Sequence, residues 1–408
     1  MNTIMKKENL FIRVLIGFVI GAIIGIFAPQ FAIQTKVVGD IYLKLIKMMI
    51  IPILICAVAG GIINISDTSS LKRIGLKTVG LYIILFLGSA VVSFAVAFAI
   101  RPGMGISFTN QPVWEGELAD TTVSGFLNTI FPSNIFQSMA NGEILPTIIF
   151  TALMAVAIVA VGEKGEPLKK WFNSLSAIMF KILSYVMEVS PIGVMSLIAF
   201  SLAEYGLGVF SALGKYIICC WLACIAVFIL ILILPVVLIT KVNLRVLLRT
   251  CGKIALMTMS TTSSAATLPT TIRLSIDELG APEGISNFTL PLGCTINMCG
   301  GACSFCCLAI FVSDFYNLAL PVSTLIGMAM VATVINMAAP GIPGGGIVLG
   351  ASFLSIFGLP FDLMGPISAF YRLLDMAFTT INVEGDVTAN LLISYSEKQW
   401  NRDMVKGN

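Results

Sequence analysis

The chain alternates long apolar runs with short basic clusters. A helix that crosses a bilayer needs about 20 consecutive apolar residues. Val14–Thr35, Thr78–Ile100 and Tyr216–Thr240 are runs of that kind without a single charge. The pattern predicts further spans around 39–65, 126–162 and 168–204. Pro132, Pro146 and Pro191 fall inside the last two and predict breaks or kinks there, because proline removes a helical N–H and its ring clashes with the turn before it.

After residue 250 the texture changes. Ile254–Ile272 carries no charge, yet its centre reads MSTTSSAATLPTT, too polar for a lipid-facing helix, and Pro269 is expected to break it. Phe315–Phe361 is also charge-free but too long for one span, with NMAAPGIPGGG at its centre. Glycine and proline clusters imply non-helical backbone at membrane depth, which is tolerated only where protein or a water-filled cavity surrounds it. Both segments therefore read as re-entrant hairpins with broken tips. Paired breaks of this kind point to a transporter site near the middle of the membrane. A pair of kinked ordinary spans is the alternative.

Between the hairpins lies LPLGCTINMCGGACSF, where Asn297, flanked by Gly293, Gly300 and Gly301, interrupts an apolar helix and can free carbonyl oxygens for a cation. After the second hairpin comes YRLLDMAFTTINVEGDVTAN. At about 100° per residue, Asp375, Thr379, Asn382 and Asp386 share a face roughly 60° wide, and Glu384 points the other way. That face offers hard oxygens to a small cation and a carboxylate to an ammonium group. Intramembrane carboxylates cost at least a few kcal/mol unless paired or hydrated, so they mark function by default. A solvated terminal helix is the bland alternative, but apolar sequence resumes at Leu391–Ser394.

Composition agrees with a polytopic membrane protein. Hydrophobic residues make up 57% of 408, charged residues only 11%, and mean hydropathy is +0.98. The net charge of +3 includes no basic patch for nucleic acid. The basic N-terminus and its apolar run read as a first span, without the small-residue cleavage site of a signal peptide. Basic clusters at Lys6–Arg13, Lys72–Lys77, Lys164–Lys170 and Lys241–Lys253 fall on one side if the six regions each cross once, which places both termini in the cytoplasm. The ten cysteines sit mostly in apolar runs, as in IICCWLACIAVF, and read as small buried hydrophobes. A metal reading of Cys299, Cys303 and Cys306 finds no histidine to support it. Nor is there a nucleophile with a base nearby, so an enzyme is not expected.

Four blocks carry a resemblance: STTSSAATLP, GCTINMCGG, PGIPGGG and DMAFTTINVEGD. Together they resemble the dicarboxylate/amino acid:cation symporter family, the glutamate and neutral amino acid transporters, whose members typically read NMDGT and DxxRTxxNVxGD in the second and fourth. The resemblance implies an all-α polytopic fold with eight transmembrane helices and two re-entrant helical hairpins, a glutamate-transporter-like elevator in a homotrimer. Residues 1–249 would form a six-span part, mostly scaffold and trimer contacts, with the third and sixth spans joining the transport domain. Residues 250–398 would form the transport core: hairpin 250–280, span 283–314, hairpin 318–358 and span 361–396. A cytoplasmic tail, 399–408, would follow. The location implied is the plasma or inner membrane.

By the same resemblance, Asp375 holds a substrate amino group. Asn382, with Ser263 and Ser264 at the first hairpin tip, serves the substrate carboxylate, and Thr379 and Ile342 complete the pocket. Asp386, with carbonyls near Gly293, Asn297 and Asn382, matches one sodium site. Thr295, Met298 and carbonyls around Asn336, Met337 and Ala339 match another. Sodium ions are coupled ligands, and no other cofactor is implied.

The departures set the expected substrate. Phe378 replaces the arginine that grips a side-chain carboxylate bidentately in acidic-substrate members. Gly301 replaces a threonine on that carboxylate. An acidic substrate would face an aromatic ring with an unpaired charge, at a cost of several kcal/mol. A neutral amino acid is therefore expected. Cys299 replaces the aspartate of a third sodium site, to which Leu85 and Phe86 offer no polar ligand, so two coupled ions are expected. Phe305 replaces a glutamate linked to proton coupling in vertebrate carriers. If protons are coupled, Glu384 is the better candidate for their carrier, with a structural ion pair as its other reading. The competing functions are a proton-coupled or sodium-independent carrier of another small solute and an amino-acid-binding channel or sensor.

Overall fold

The computed structural model describes residues 2–63, 69–105, 132–337, 345–360 and 362–401, and among them there is no strand. The helices in order are α1 (Asn2–Phe27), α2 (Pro29–Ile63), α3 (Ser69–Ile100), α4 (Ile135–Ala140), α5 (Ile144–Ala160), α6 (Glu166–Glu188) and α7 (Ser190–Tyr205). They continue with α8 (Gly208–Val227), a π-helical turn (Phe228–Ile233), α9 (Leu234–Thr240), α10 (Leu244–Thr261) and α11 (Ser264–Asp277). The chain closes with α12 (Glu283–Ile296), α13 (Cys299–Phe315), α14 (Val322–Met337), α15 (Gly345–Ile356) and α16 (Met364–Ser396).

Two expected features are corrected. The run Val14–Thr35 is not one span: helix stops at Ala28 and restarts at Pro29. Proline disfavours helical geometry in the residue before it and is well suited to a first helical position. Pro269 does not break the first hairpin either, and lies inside α11. The break is at Thr262, which takes left-handed geometry (φ 47°), followed by Ser263, whose Oγ accepts from the Ala266 N–H at 3.3 Å. Capping by short hydroxyl side chains decides where the chain turns. Pro146 is absorbed near the start of α5, whereas Pro191 begins α7, and α6 and α7 meet there at a bend of 50°.

The helices pack as two groups. In the first, α1 and α2 lie on α7, and α2 also packs on α5 and α6. Gly17, Gly21 and Gly25 form a small-residue stripe along α1. A Cβ at each would lie 2.3, 2.3 and 2.7 Å from the carbonyl oxygens of Pro191, Met195 and Ala199, so only glycine lets the backbones meet. Gly39 on α2 approaches the same helix, and its N–H donates to Ser196 Oγ at 3.0 Å.

In the second group, α13 is the centre, enclosed by α3, α8, α14, α15 and α16. Apart from Gly301, every residue of α13 is buried. All ten cysteines are buried and free. Cys219 on α8 and Cys307 on α13 approach to 3.9 Å between sulfurs, a packing contact of small side chains.

Both segments after residue 250 fold back on themselves. Thr250 and Lys253 in the middle of α10 reach Glu278 just beyond α11, at 2.9 and 2.5 Å. Gly327 on α14 lies beside the ring of Phe357 just beyond α15. Ion pairs tie α3 to this group at both ends: Arg101 with the buried Asp314 at 2.8 Å, and Arg73 and Lys77 with Glu397 at 2.5 Å each.

Two predictions follow from these contacts. Gly21→Leu should push α1 off α7 and lower stability by about 1–3 kcal/mol, the usual cost of overpacking. An unchanged melting midpoint for the purified protein would contradict the contact. The Lys77 hydrogen bond, with Arg73 beside it, holds the Glu397 carboxyl below its ordinary value. Its stabilisation is present above the unfolded carboxyl value of about 4.3 and is lost as pH falls through the lowered folded value. Glu397→Gln should therefore melt earlier than the parent at pH 7, and the gap should close in acid. A gap independent of pH would rule out the ion pair as its source.

Candidate functional site

The break between α12 and α13 is the origin of the site. Helix stops at Ile296, Asn297 takes extended geometry and Met298 a non-helical one, and helix resumes at Cys299. Backbone groups freed at such a break must find partners inside the protein. The middle of α16 supplies them. Asn382 Oδ1 accepts from the Gly300 N–H at 2.7 Å, capping α13, while its Nδ2 lies 3.2 Å from Met298 Sδ. In return, Asn297 Nδ2 donates to Asp386 Oδ1 at 2.9 Å and to the Asn382 carbonyl at 3.3 Å. The Cys299 thiol donates to Asn297 Oδ1 at 3.0 Å.

Glycines let the two helices meet this closely. A Cβ at Gly300 would fall 2.1 Å from the Phe378 carbonyl oxygen, and one at Gly293 would fall 2.3 Å from Asp386 Oδ1. Asp386 is 2% exposed and lies against the backbone of Gly293, beside Tyr82, whose hydroxyl donates to the Thr289 carbonyl at 2.8 Å. One turn further along, Asn390 binds Thr289 and Ser286 through its side chain. The polar face of α16 thus runs through Asp375, Thr379, Asn382, Asp386 and Asn390, one residue longer than the sequence reading. A carboxylate with backbone carbonyls at close quarters is a hard-oxygen set suited to a small cation.

Beside this web, the tip of the first hairpin, the start of α13, the end of α14, the start of α15 and α16 line a cavity of about 50 Å³. Ser264, Met298, Gly301, Asn336, Asp375, Phe378, Thr379 and Asn382 all reach its wall. Thr379 Oγ1 lies 3.4 Å from Asp375 Oδ1. Ser263 precedes Ser264 as the cap of α11, its side chain accepting from the Ala266 N–H. Asn336 anchors through Nδ2 to the Ala332 carbonyl at 2.8 Å, and its Oδ1 lies over Gly301, where a Cβ would come within 1.8 Å. The second cation set is not gathered at one point among the described residues. Thr295 is exposed and bonds back to the Leu292 carbonyl, Met337 ends α14, and Ala339 and Ile342 lie outside the described residues.

Sequence reasoning passed over Thr262, Ser304 and Leu349 as wall residues. Thr262 had a visible signal, its place in the hydroxyl run. Its buried Oγ1 has no hydrogen-bond partner, so a ligand group at the tip would meet an open donor. Glu384 lies apart, buried on the far face of α16 against α10.

The comparisons with known proteins bear on this geometry. The model of the sodium:dicarboxylate symporter family matches residues 10–396. This chain belongs to that family. It is 30% identical to the proton/sodium-glutamate symport protein of Geobacillus stearothermophilus, over 98% of both chains. Identity to the protein of that name from Bacillus subtilis is 28%, over 97% of this chain and 94% of the relative. Identity to the C4-dicarboxylate transport protein of Pseudomonas fluorescens is 26%, over 98% of this chain and 91% of the relative. The symporter is thus a mostly helical, multi-pass membrane protein of a cation-coupled transport family, and sodium enters as a coupled ligand. Three helical stretches among the described residues are long and apolar enough to cross a membrane, Arg73–Ile100, Ser211–Thr240 and Glu283–Phe315.

Asn297→Ala should strip the donor from both Asp386 and the Asn382 carbonyl. Leaving buried acceptors unpaired costs about 1–3 kcal/mol, so the purified symporter should melt measurably earlier at neutral pH. A variant as stable as the parent would show that the web does not hold the broken helix.

Proposed function

We propose that the symporter imports a neutral amino acid together with sodium. The observation that carries this reading is the charge on the cavity wall: Asp375 is its one charged residue among those described. The nearby Arg372 reaches away to the Ser260 carbonyl at 3.2 Å. An ammonium group would pair with Asp375, and a backbone carboxylate would meet the N–H groups at the start of α11, a favourable end for an anion. A second carboxylate would find Phe378 and no cation, at a cost of several kcal/mol. Asp386, Asn297 and the carbonyls beside Gly293 and Asn382 would take one sodium ion. Met298 and the second hairpin around Asn336 would take another.

The second reading is an acidic substrate. The glutamate and C4-dicarboxylate names of the relatives favour it. A thermal-shift screen with sodium separates the two. At 100 times its Kd a ligand stabilises by about 2.7 kcal/mol, so neutral amino acids should raise the melting midpoint by several degrees, and glutamate and succinate should not. A shift with either acid would overturn the neutral reading. Asp375→Asn should abolish the amino acid shift while a sodium shift remains. Phe378→Arg should turn preference toward glutamate. Adding Gly301→Thr should spoil that gain, because its Cβ would displace Asn336.

The two packing groups suggest how the substrate moves. We infer that α3 and α8–α16 form a mobile transport domain sliding against a scaffold of α1, α2 and α4–α7, in an elevator motion. The homotrimer rests on the family resemblance, and the cytoplasmic termini rest on the basic clusters between spans.

A further inference from the structure

Glu384 has no part in the reading above, and its surroundings give it another. It is 2% exposed, and both carboxyl oxygens are buried with no oxygen or nitrogen donor in reach, the Cys251 thiol being their one neighbouring donor. It faces a second cavity, of about 250 Å³, between α8, the π-helical turn, α10 and α16. The wall is apolar: Trp221, Phe228, Leu248 and Met259 contribute most of its character. Thr380, also on the wall, is satisfied, donating to the Met376 carbonyl and paired with Thr258 at 2.7 Å each. Cys251 is the nearest polar neighbour, a weak donor at best. No lysine or arginine lines this cavity among the described residues. Ile225 and Leu248 on the rim are 49% and 44% exposed, so the cavity opens on the apolar outer surface. The π turn widens the helix beside it, a feature common at functional sites.

We propose that this cavity binds a small hydrophobic amine that enters from the lipid phase. A buried carboxyl group without donors is costly, and a ligand ammonium supplies them. Acyl chains alone would fill the space but leave both oxygens bare, and an acidic ligand would be repelled. The aromatic wall suits a cation with an apolar body, through ring faces as well as area. An apolar cavity of about 150 Å³ holds a benzene, so this one has room for an aromatic ring with a short aminoalkyl arm. The site is on the opposite face of α16 from Asp375, so the proposal stands apart from the substrate assignment.

The test uses 2-(4-bromophenyl)ethylamine, whose bromine quenches tryptophan, on the full-length symporter in nanodiscs. Quenching should saturate in the parent and in Asp375→Asn, and should be lost in Trp221→Phe. In Glu384→Gln the affinity should drop at least tenfold, to that of the matched alcohol 2-(4-bromophenyl)ethanol. Should Glu384→Gln fail to fold, Gly252→Phe serves instead: a Cβ at Gly252 meets nothing within 4 Å, so the ring can fill the cavity mouth and should abolish saturation. Equal affinity for amine and alcohol in the parent would overturn the proposal. So would quenching untouched by Glu384→Gln or Gly252→Phe, or lost in Asp375→Asn, which would place the amine in the substrate cavity.

Discussion

A helix broken inside a membrane must settle its own backbone hydrogen bonds, because lipid offers none. Here the two-residue break at Asn297 and Met298 is settled by one continuous neighbour. Asn382 caps the second half of the broken helix, and Asn297 returns the favour to Asp386 and to the carbonyl of Asn382. Each partner needs the other in register, so the break fixes how α12, α13 and α16 lie together. The enclosure of α13 and the position of the cavity beside it both follow from that register.

The same web explains why a carboxylate can sit there. Asp386 has an amide donor, a tyrosine beside it and a glycine backbone against it, yet no cationic side chain pairs with it among the described residues. An incoming cation would complete the charge balance, and its binding would stiffen the join between the broken helix and α16. Thr379 and Asp375 stand about two and three turns away on the same helix, at the cavity wall. A cation that orders one end of this face orders the other, which is a physical route to linkage between the two ligands.

Much of this was legible in the sequence because it depends on local spacing. The i, i+4, i+7, i+11 pattern from Asp375 to Asp386 puts those residues on one helix face whatever surrounds them. Asn297 among glycines announces a break. Other features depended on competition that spacing does not express. Pro269 was the conspicuous breaker, but the run of hydroxyls around Thr262 caps two helices at once and wins. Ala28 ends a helix because of the proline after it, in a stretch whose hydropathy never falters. Thr295, a cation ligand by the family resemblance, is exposed and bonds back to the Leu292 carbonyl. Asn390 continues the polar face by the same four-residue step, and only its partners Ser286 and Thr289, about a hundred residues away, show that it belongs to it.

The central claim is that Asp386 holds a cation whose binding is linked to that of the substrate. The most direct measurement is the Kd of a neutral amino acid as a function of sodium concentration, in the parent and in Asp386→Asn. Each coupled ion contributes about one unit to the slope of the log–log plot. The account predicts a slope of about two for the parent, falling by about one unit in the variant. A parent affinity indifferent to sodium, or a slope that survives the loss of Asp386, would contradict it.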